Sequence, residues 1–354
     1  MENARGKMIN LFPSPYEKLI SLLNSLEKER TLKLFSYENR GEEYHLPFAS
    51  RIEFLYKGQE FTGFGIGENE DESSGKALME LLEHLCLFYS QPTFYENSKG
   101  ETFDETRLKE KFPQVPHLIP ENSNGMAIHT KIEDAYTNAL KELIERHTLL
   151  KALACHISPM KINADILKLG DQVKIPSNVE LRFYAYKGPL HYHVVICETH
   201  IKEDGPGSYF RFGASQNLDQ AIKNSFYESV IPILFSIKNK NNTPPACQID
   251  PQRIESFSDF HRYSGNTYWS DFFEKTHSKT VLPEIDSFIS KESFYHTKIP
   301  LPDFLSKLKN SFTCIRVINP FLQQLFFDDW NKEHINPLAI NEKTILPKTP
   351  HFIP

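Results

Sequence analysis

Residues 138–147, NALKELIERH, repeat residues 76–85, KALMELLEHL, with a carboxylate pair at the same place in each copy. Glu80 and Glu83 align with Glu142 and Glu145. Acids three apart on a helix project from one face. Two such helices side by side would gather four carboxylates around one point, an arrangement that repels itself unless cations intervene. Mg²⁺ suits such a place, because it is hard, takes oxygen ligands and bridges carboxylates to substrate phosphates. Two ions between two acid pairs could hold a triphosphate and offset charge during phosphoryl transfer. A single ExxE on an amphipathic helix is ordinarily a solvated face. Here both copies also keep the apolar residues around the acids: Ala77, Leu78, Leu81 and Leu82 against Ala139, Leu140, Leu143 and Ile144.

Other chemical motifs fail on spacing. Gly63, Gly65 and Gly67, with Gly75-Lys76 beyond, resemble a phosphate loop. Seven residues separate Gly67 from Gly75, Ala77 replaces the Ser or Thr, and Glu68 breaks GxGxxG. These glycines read as a strand-end turn. His84, His129, His147 and His156 form no HExxH and read as packing or surface histidines. The cysteines Cys86, Cys155, Cys197, Cys247 and Cys314 are dispersed, with no CxxC. They fit a reducing cytoplasm, and Cys86 reads as a small core residue rather than a nucleophile.

The elements that must position the acids follow from periodicity. Leu19, Leu22, Leu23 and Leu26 recur at helical spacing. Residues 52–67 read as a hairpin turning at Lys57-Gly58, and 68–74 as a loop into a helix over about 75–90. Residues 91–120 are polar and proline-punctuated, as a surface excursion would be. A second acid helix starts near Glu133. Residues 180–200 form a hairpin around Lys187-Gly188-Pro189, and 208–215 a strand. A third helix, 217–234, places Glu228 where Glu142 stands in the second; Ile231 replaces the other acid and Pro232 is expected to end it. Residues 313–320 read as a late strand, and the proline-rich tail as extended.

At 354 residues with no clear linker, the chain is expected to be one α+β domain of repeated strand–helix units. Residues 1–60 form its less defined N-terminal part and 340–354 its tail. A net charge of −6 without basic–aromatic interleaving argues against a nucleic-acid partner. No run approaches a membrane span, and the N-terminus lacks an apolar signal core.

The segment SNGMAIHTKIEDAYTNALKELIER, the first ExxE helix, a third helix with an acid and the proline-rich end together resemble the YcaO superfamily. The likeness runs from about residue 60 to the last residue, and in divergence it is similar to the cyclodehydratase subunits of microcin-type azole synthetases. It implies a YcaO-like fold around an ATP and Mg²⁺ site, with Glu80, Glu83, Glu142 and Glu145 as Mg²⁺ ligands. It implies nucleotide contacts from Lys76, Asn124, Asp134, Asn138, Arg146 and Glu228. It also implies that the carboxylate of Pro354 enters the site and moves a proton. Several residues depart from the family pattern. His84 and Asn224 stand where arginines are usual, Lys76 at a serine, Asp134 at a glutamate and Asn138 at a glutamine.

The activity so implied is ATP-dependent conversion of Cys, Ser or Thr in a ribosomally made precursor peptide to thiazoline or oxazoline. The implied partners are the precursor peptide, a ThiF-like leader-binding subunit and an FMN-dependent azoline dehydrogenase. Thioamidation or amidine formation at the same site is the alternative chemistry. A non-catalytic assembly subunit is the rival from another class.

Overall fold

Helix α1 (Ser14–Ser25) precedes a meander in which β1 (Leu32–Tyr37) pairs antiparallel with β2 (Phe48–Tyr56), and β2 with β3 (Gln59–Gly67). The computed structural model describes residues 14–25, 32–37, 45–115, 117–120, 122–162, 173–202, 208–238, 267–274, 281–323, 325, 334–341 and 344–346. The β2–β3 turn is at Lys57-Gly58, with φ of 50° and 79°, the positive values that a two-residue hairpin requires. Helix α2 (Glu70–Tyr89) begins about five residues before its expected start. Asn69 caps it by accepting from the Glu72 amide at 2.9 Å, and three acids in the first turn favour the positive end of the helix dipole. The acidic stretch is therefore helix rather than loop.

The glycines of β3 also correct an expectation, since they lie within the strand rather than in a turn. A Cβ at Gly65 would fall 2.0 Å from Ser73 O, and one at Gly63 would fall 2.1 Å from Ala77 O. They are glycines because α2 lies against the strand backbone.

Residues 91–120 carry β4 (Tyr95–Asn97), β5 (Thr102–Phe103) and α3 (Glu105–Lys111). Then come β6 (Met126–His129) and α4 (Ile132–Ala154), followed by β7 (Met160–Ile162), β8 (Val179–Lys187), β9 (His193–Ile201) and β10 (Ser208–Ser215). Helix α5 (Leu218–Lys238) continues through Pro232 instead of stopping there. Burial of Val230, Ile233 and Leu234 against the sheet outweighs the hydrogen bond that proline removes. Helix α6 (Thr267–Glu274), β11 (Tyr295–Ile299) and β12 (Thr313–Ile318) complete the described elements. Residues 347–354 lie outside the described residues.

Three sheets result, ordered β1-β2-β3, β10-β9-β8-β7 and β5-β4-β11-β12-β6. The strands β3, β6 and β10 are each an edge, and each leads directly into an acid-bearing helix. Helix α2 packs on β3 and also on Met126 and Ile128 of β6. Helix α4 packs on the opposite face of β6, at Ala127, and on Phe210 and Phe212 of β10. Helix α5 covers the other face of β10, where a Cβ at Gly213 would strike Ser225 N at 2.3 Å, and shares a core with Ile66 of β3. Strand edges and helices thus alternate in a closed ring, each helix wedged between two sheets.

Candidate active site

The ring turns the acid faces of its helices toward one recess. On α2, Glu80 accepts a hydrogen bond from Phe64 N at 3.0 Å, an amide that the β3 edge leaves unpaired within its sheet. Burial, opposed by that hydrogen bond and reinforced by Glu228 and Glu142, raises the Glu80 pKa to about 8. Burial and then the charges of Glu142 and Glu80 push Glu83 well above the ordinary carboxylate range. On α4, burial raises Glu142 against Arg146 and Lys141, and raises Glu145 to about 7. All four side chains keep some surface, 22% for Glu142, so the recess is open. Their surroundings are nonetheless dry enough for burial to be the leading cause of every shift.

Arg146 Nη1 lies 2.6 Å from Glu142 Oε1 in an ion pair, yet it is buried without a formed hydrogen bond. Glu228 is exposed on α5 and contributes through its charge on Glu80 and Glu145. The structure therefore brings the acids of all three helices into one electrostatic neighbourhood. Among the described residues, no three His, Cys, Asp or Glu side chains close around a single point. That suits Mg²⁺, which takes one or two carboxylates and fills its remaining positions with water and phosphate oxygens. The donor set is all hard oxygen, with the Arg146 guanidinium beside it, and fits Mg²⁺ and phosphate.

The remaining expected residues are placed as follows. Asn124 is buried in the loop before β6, its amide bonded to Asn122 Oδ1 at 3.0 Å. Arg316 clamps that loop by donating to Pro120 O and Asn122 O. Asp134 and Asn138 stand two turns and one turn before Glu142 on the same stripe of α4; Asp134 Oδ2 is 3.3 Å from His129 Nδ1, and Asn138 is exposed. Lys76 donates to Ile66 O at 2.9 Å and pairs with Glu72 at 2.7 Å, so its ammonium is engaged at the start of α2. Pro354 lies outside the described residues. His84 Nδ1 bonds Thr62 O at 2.8 Å, and burial lowers its pKa, which keeps the imidazole neutral. Asn224 donates to Ala214 O and accepts from Gln220.

Sequence reasoning missed two arginines. Arg316 holds the Asn124 loop, and Arg211 of β10 faces α5. The alternation of SYFRFGAS already sets Arg211 on the face opposite Phe210 and Phe212. Cys86 and Cys314 are buried and packed, as expected of Cys86.

The family model described as "YcaO cyclodehydratase, ATP- and Mg2+-binding" matches residues 106–310, more than half of the chain. The chain belongs to the YcaO family. It is thus a YcaO-type, ATP-dependent enzyme whose family binds ATP and Mg²⁺. No curated protein gives a significant sequence match. Solved structures agree in fold at low identity. The YcaO protein of Methanopyrus kandleri bound with AMPPCP and Mg²⁺ matches with a TM-score of 0.56 and 15% identity, over 87% of this chain and 89% of that one. A chain of the E. coli microcin synthetase McbBCD complex matches at 0.54 and 13%, over 82% and 88%. A heterocyclase in complex with substrate and cofactor matches at 0.59 and 12%, over 96% of this chain but 57% of that one. Among the described residues, no helix of this YcaO chain is long and apolar enough to cross a membrane.

Proposed function

We propose that this YcaO chain is the cyclodehydratase subunit of a system that forms azolines in a ribosomally made precursor peptide. The observation that carries the reading is the shared recess, into which α2 and α4 bring the two carboxylate pairs and where burial raises the pKa of all four. Mg²⁺, when bound, supplies charge neutralisation for a triphosphate. Glu80, Glu83, Glu142 and Glu145 would hold it, and Arg146 would face phosphate. Asn124, Asp134, Asn138, Glu228 and Lys76 would contact the nucleotide, Lys76 only after leaving Glu72.

In the proposed reaction, a substrate Cys, Ser or Thr side chain adds to the preceding amide carbonyl. The resulting oxyanion takes the γ-phosphoryl group of ATP. Phosphate then leaves from the already closed ring as the amide nitrogen gives up its proton and the C=N bond of the azoline forms, for a net loss of one water from the peptide. The chain's part is positioning and electrostatic stabilisation, with the Pro354 carboxylate as the proposed proton carrier. The likeness to chains solved as the McbBCD complex and with bound substrate supports a partner subunit, which we assign as ThiF-like. An FMN-dependent dehydrogenase would then oxidise the azolines.

Incubation with partner, ATP and a candidate precursor peptide should remove one water's mass per ring, coupled to ADP release. Glu80→Gln and Glu142→Gln should each lower kcat by about two orders of magnitude or more. Full turnover by either variant would remove the metal assignment. Thioamide or amidine products would be separated by product mass. The engaged states of His84 and Asn224 favour one second reading, a non-catalytic assembly subunit. That reading requires calorimetry to find no binding of a non-hydrolysable Mg·ATP analogue.

A further inference from the structure

Gly65, Ala127 and Gly213 lie fifteen positions before Glu80, Glu142 and Glu228, which sets the three strand–helix units in one register. The helix contacts agree: a Cβ at Gly65 would meet Ser73 O and Ala77 N, and one at Gly213 would meet Ala221 O and Ser225 N, at the same offsets. In this register Gly63, Gly125 and Arg211 are equivalent. The first two have no space for a side chain, since a Cβ would fall 2.1 Å from Ala77 O and 2.3 Å from Val317 O. The third unit carries a full guanidinium there. Opposite it, α5 presents Ser225 and Ser229 where α2 presents Ala77 and Leu81.

Arg211 donates from Nη1 to Phe210 O at 2.8 Å, and among the described residues no carboxylate stands within ion-pairing distance of it. Burial depresses its pKa, with Glu228 the largest opposing influence. A desolvated guanidinium without a close carboxylate is costly to maintain. At the edge of a recess built from acids, it is suited to an anion that arrives together with the cations those acids hold.

We propose that Arg211 is a nucleotide-binding residue that takes phosphate oxygens of the polyphosphate entering the recess from the β10 edge. This rests on the reading of the recess as an Mg·ATP site. The test is calorimetry on wild type, R211Q and R211K with a non-hydrolysable Mg·ATP analogue, and with adenosine as competitor, on variants whose circular dichroism matches wild type. The expected result is a roughly 10- to 100-fold loss of analogue affinity in R211Q. R211K should show a smaller loss, because a point charge replaces the fork, and adenosine affinity should be unchanged in both. Equal losses for analogue and adenosine, or unchanged analogue affinity, would overturn the assignment in favour of a packing role. If R211Q fails to fold, R211K decides by the same comparison. A wild type that binds no analogue would overturn the ATP-site reading, and this assignment with it. Binding by wild type that persists undiminished in the variants overturns only the role of Arg211.

Discussion

A carboxyl group that keeps its proton to about pH 8, as Glu80 does, becomes a metal ligand only when the metal displaces that proton. Glu145, at about 7, behaves likewise. Binding of Mg²⁺ with a nucleotide analogue should therefore release protons near pH 7. Calorimetry in two buffers of different ionisation enthalpy should give heats that differ by that release, and equal heats would contradict the shifts. The linkage also fixes a sign. Both acids have folded pKa values above their ordinary 4.5, so the unbound protein loses stability as pH rises from that value through about 8. Melting at pH 6 and pH 8 should show Mg²⁺ with the analogue stabilising more at the higher pH.

A second buried group acts in the opposite direction. Lys151 donates to both oxygens of Asp286 at 2.8 and 2.6 Å, and His147 Nε2 is 3.0 Å from the same carboxylate. His147 Nδ1 accepts from Gln323 N, so its proton sits on Nε2. Burial lowers the His147 pKa, and the His147 and Lys151 hydrogen bonds hold Asp286 low despite burial. Both contributions are present above the unfolded pKa values and are lost as pH falls. Asp286→Asn tolerates the positive φ of 49° while removing the charge. It should destabilise by on the order of 3 kcal/mol in urea unfolding.

At the scale of elements, the glycines separate two roles. Gly65 is required by the approach of α2 to β3, so Gly65→Ala must push the helix away. A loss of about 1–3 kcal/mol or more is expected, read as a lowered melting temperature. Gly75 lies inside α2, where an added methyl would meet only the Tyr16 ring at 3.7 Å. Gly75→Ala should therefore stabilise by roughly 0.5–1 kcal/mol. The pair distinguishes a glycine forced by packing from one that merely weakens a helix. Expectations about elements failed at boundaries: the Asn69 cap extended α2 backwards, and core burial carried α5 past Pro232. Both outcomes came from energies that periodicity alone does not weigh.

At the scale of the whole molecule, each acid helix shares its packing with two sheets, so the recess exists only while the ring is closed. A ligand bridging the acids would tie α2, α4 and α5 together. Hydrogen exchange should then slow at β3, β6 and β10 in concert when Mg²⁺ and the ATP analogue bind. Protection confined to one strand–helix unit would contradict a shared site. The long-range order also explains Arg316, which lies more than 190 residues from the Asn122 loop that it clamps.

The sequence by itself determined the acids, their duplication and the strand–helix periodicity, because carboxylate spacing and amphipathic pattern are local properties. It also carried the family likeness, which the match over residues 106–310 bore out. Only the tertiary structure decided that β3, β6 and β10 are edges, that Lys76, His84 and Asn224 are engaged elsewhere, and that Arg211 feels the charge of Glu228. Those facts depend on which faces meet across distant parts of the chain. The raised pKa values follow from the same cause, since desolvation and mutual repulsion arise only when separate helices bring their charges into one recess.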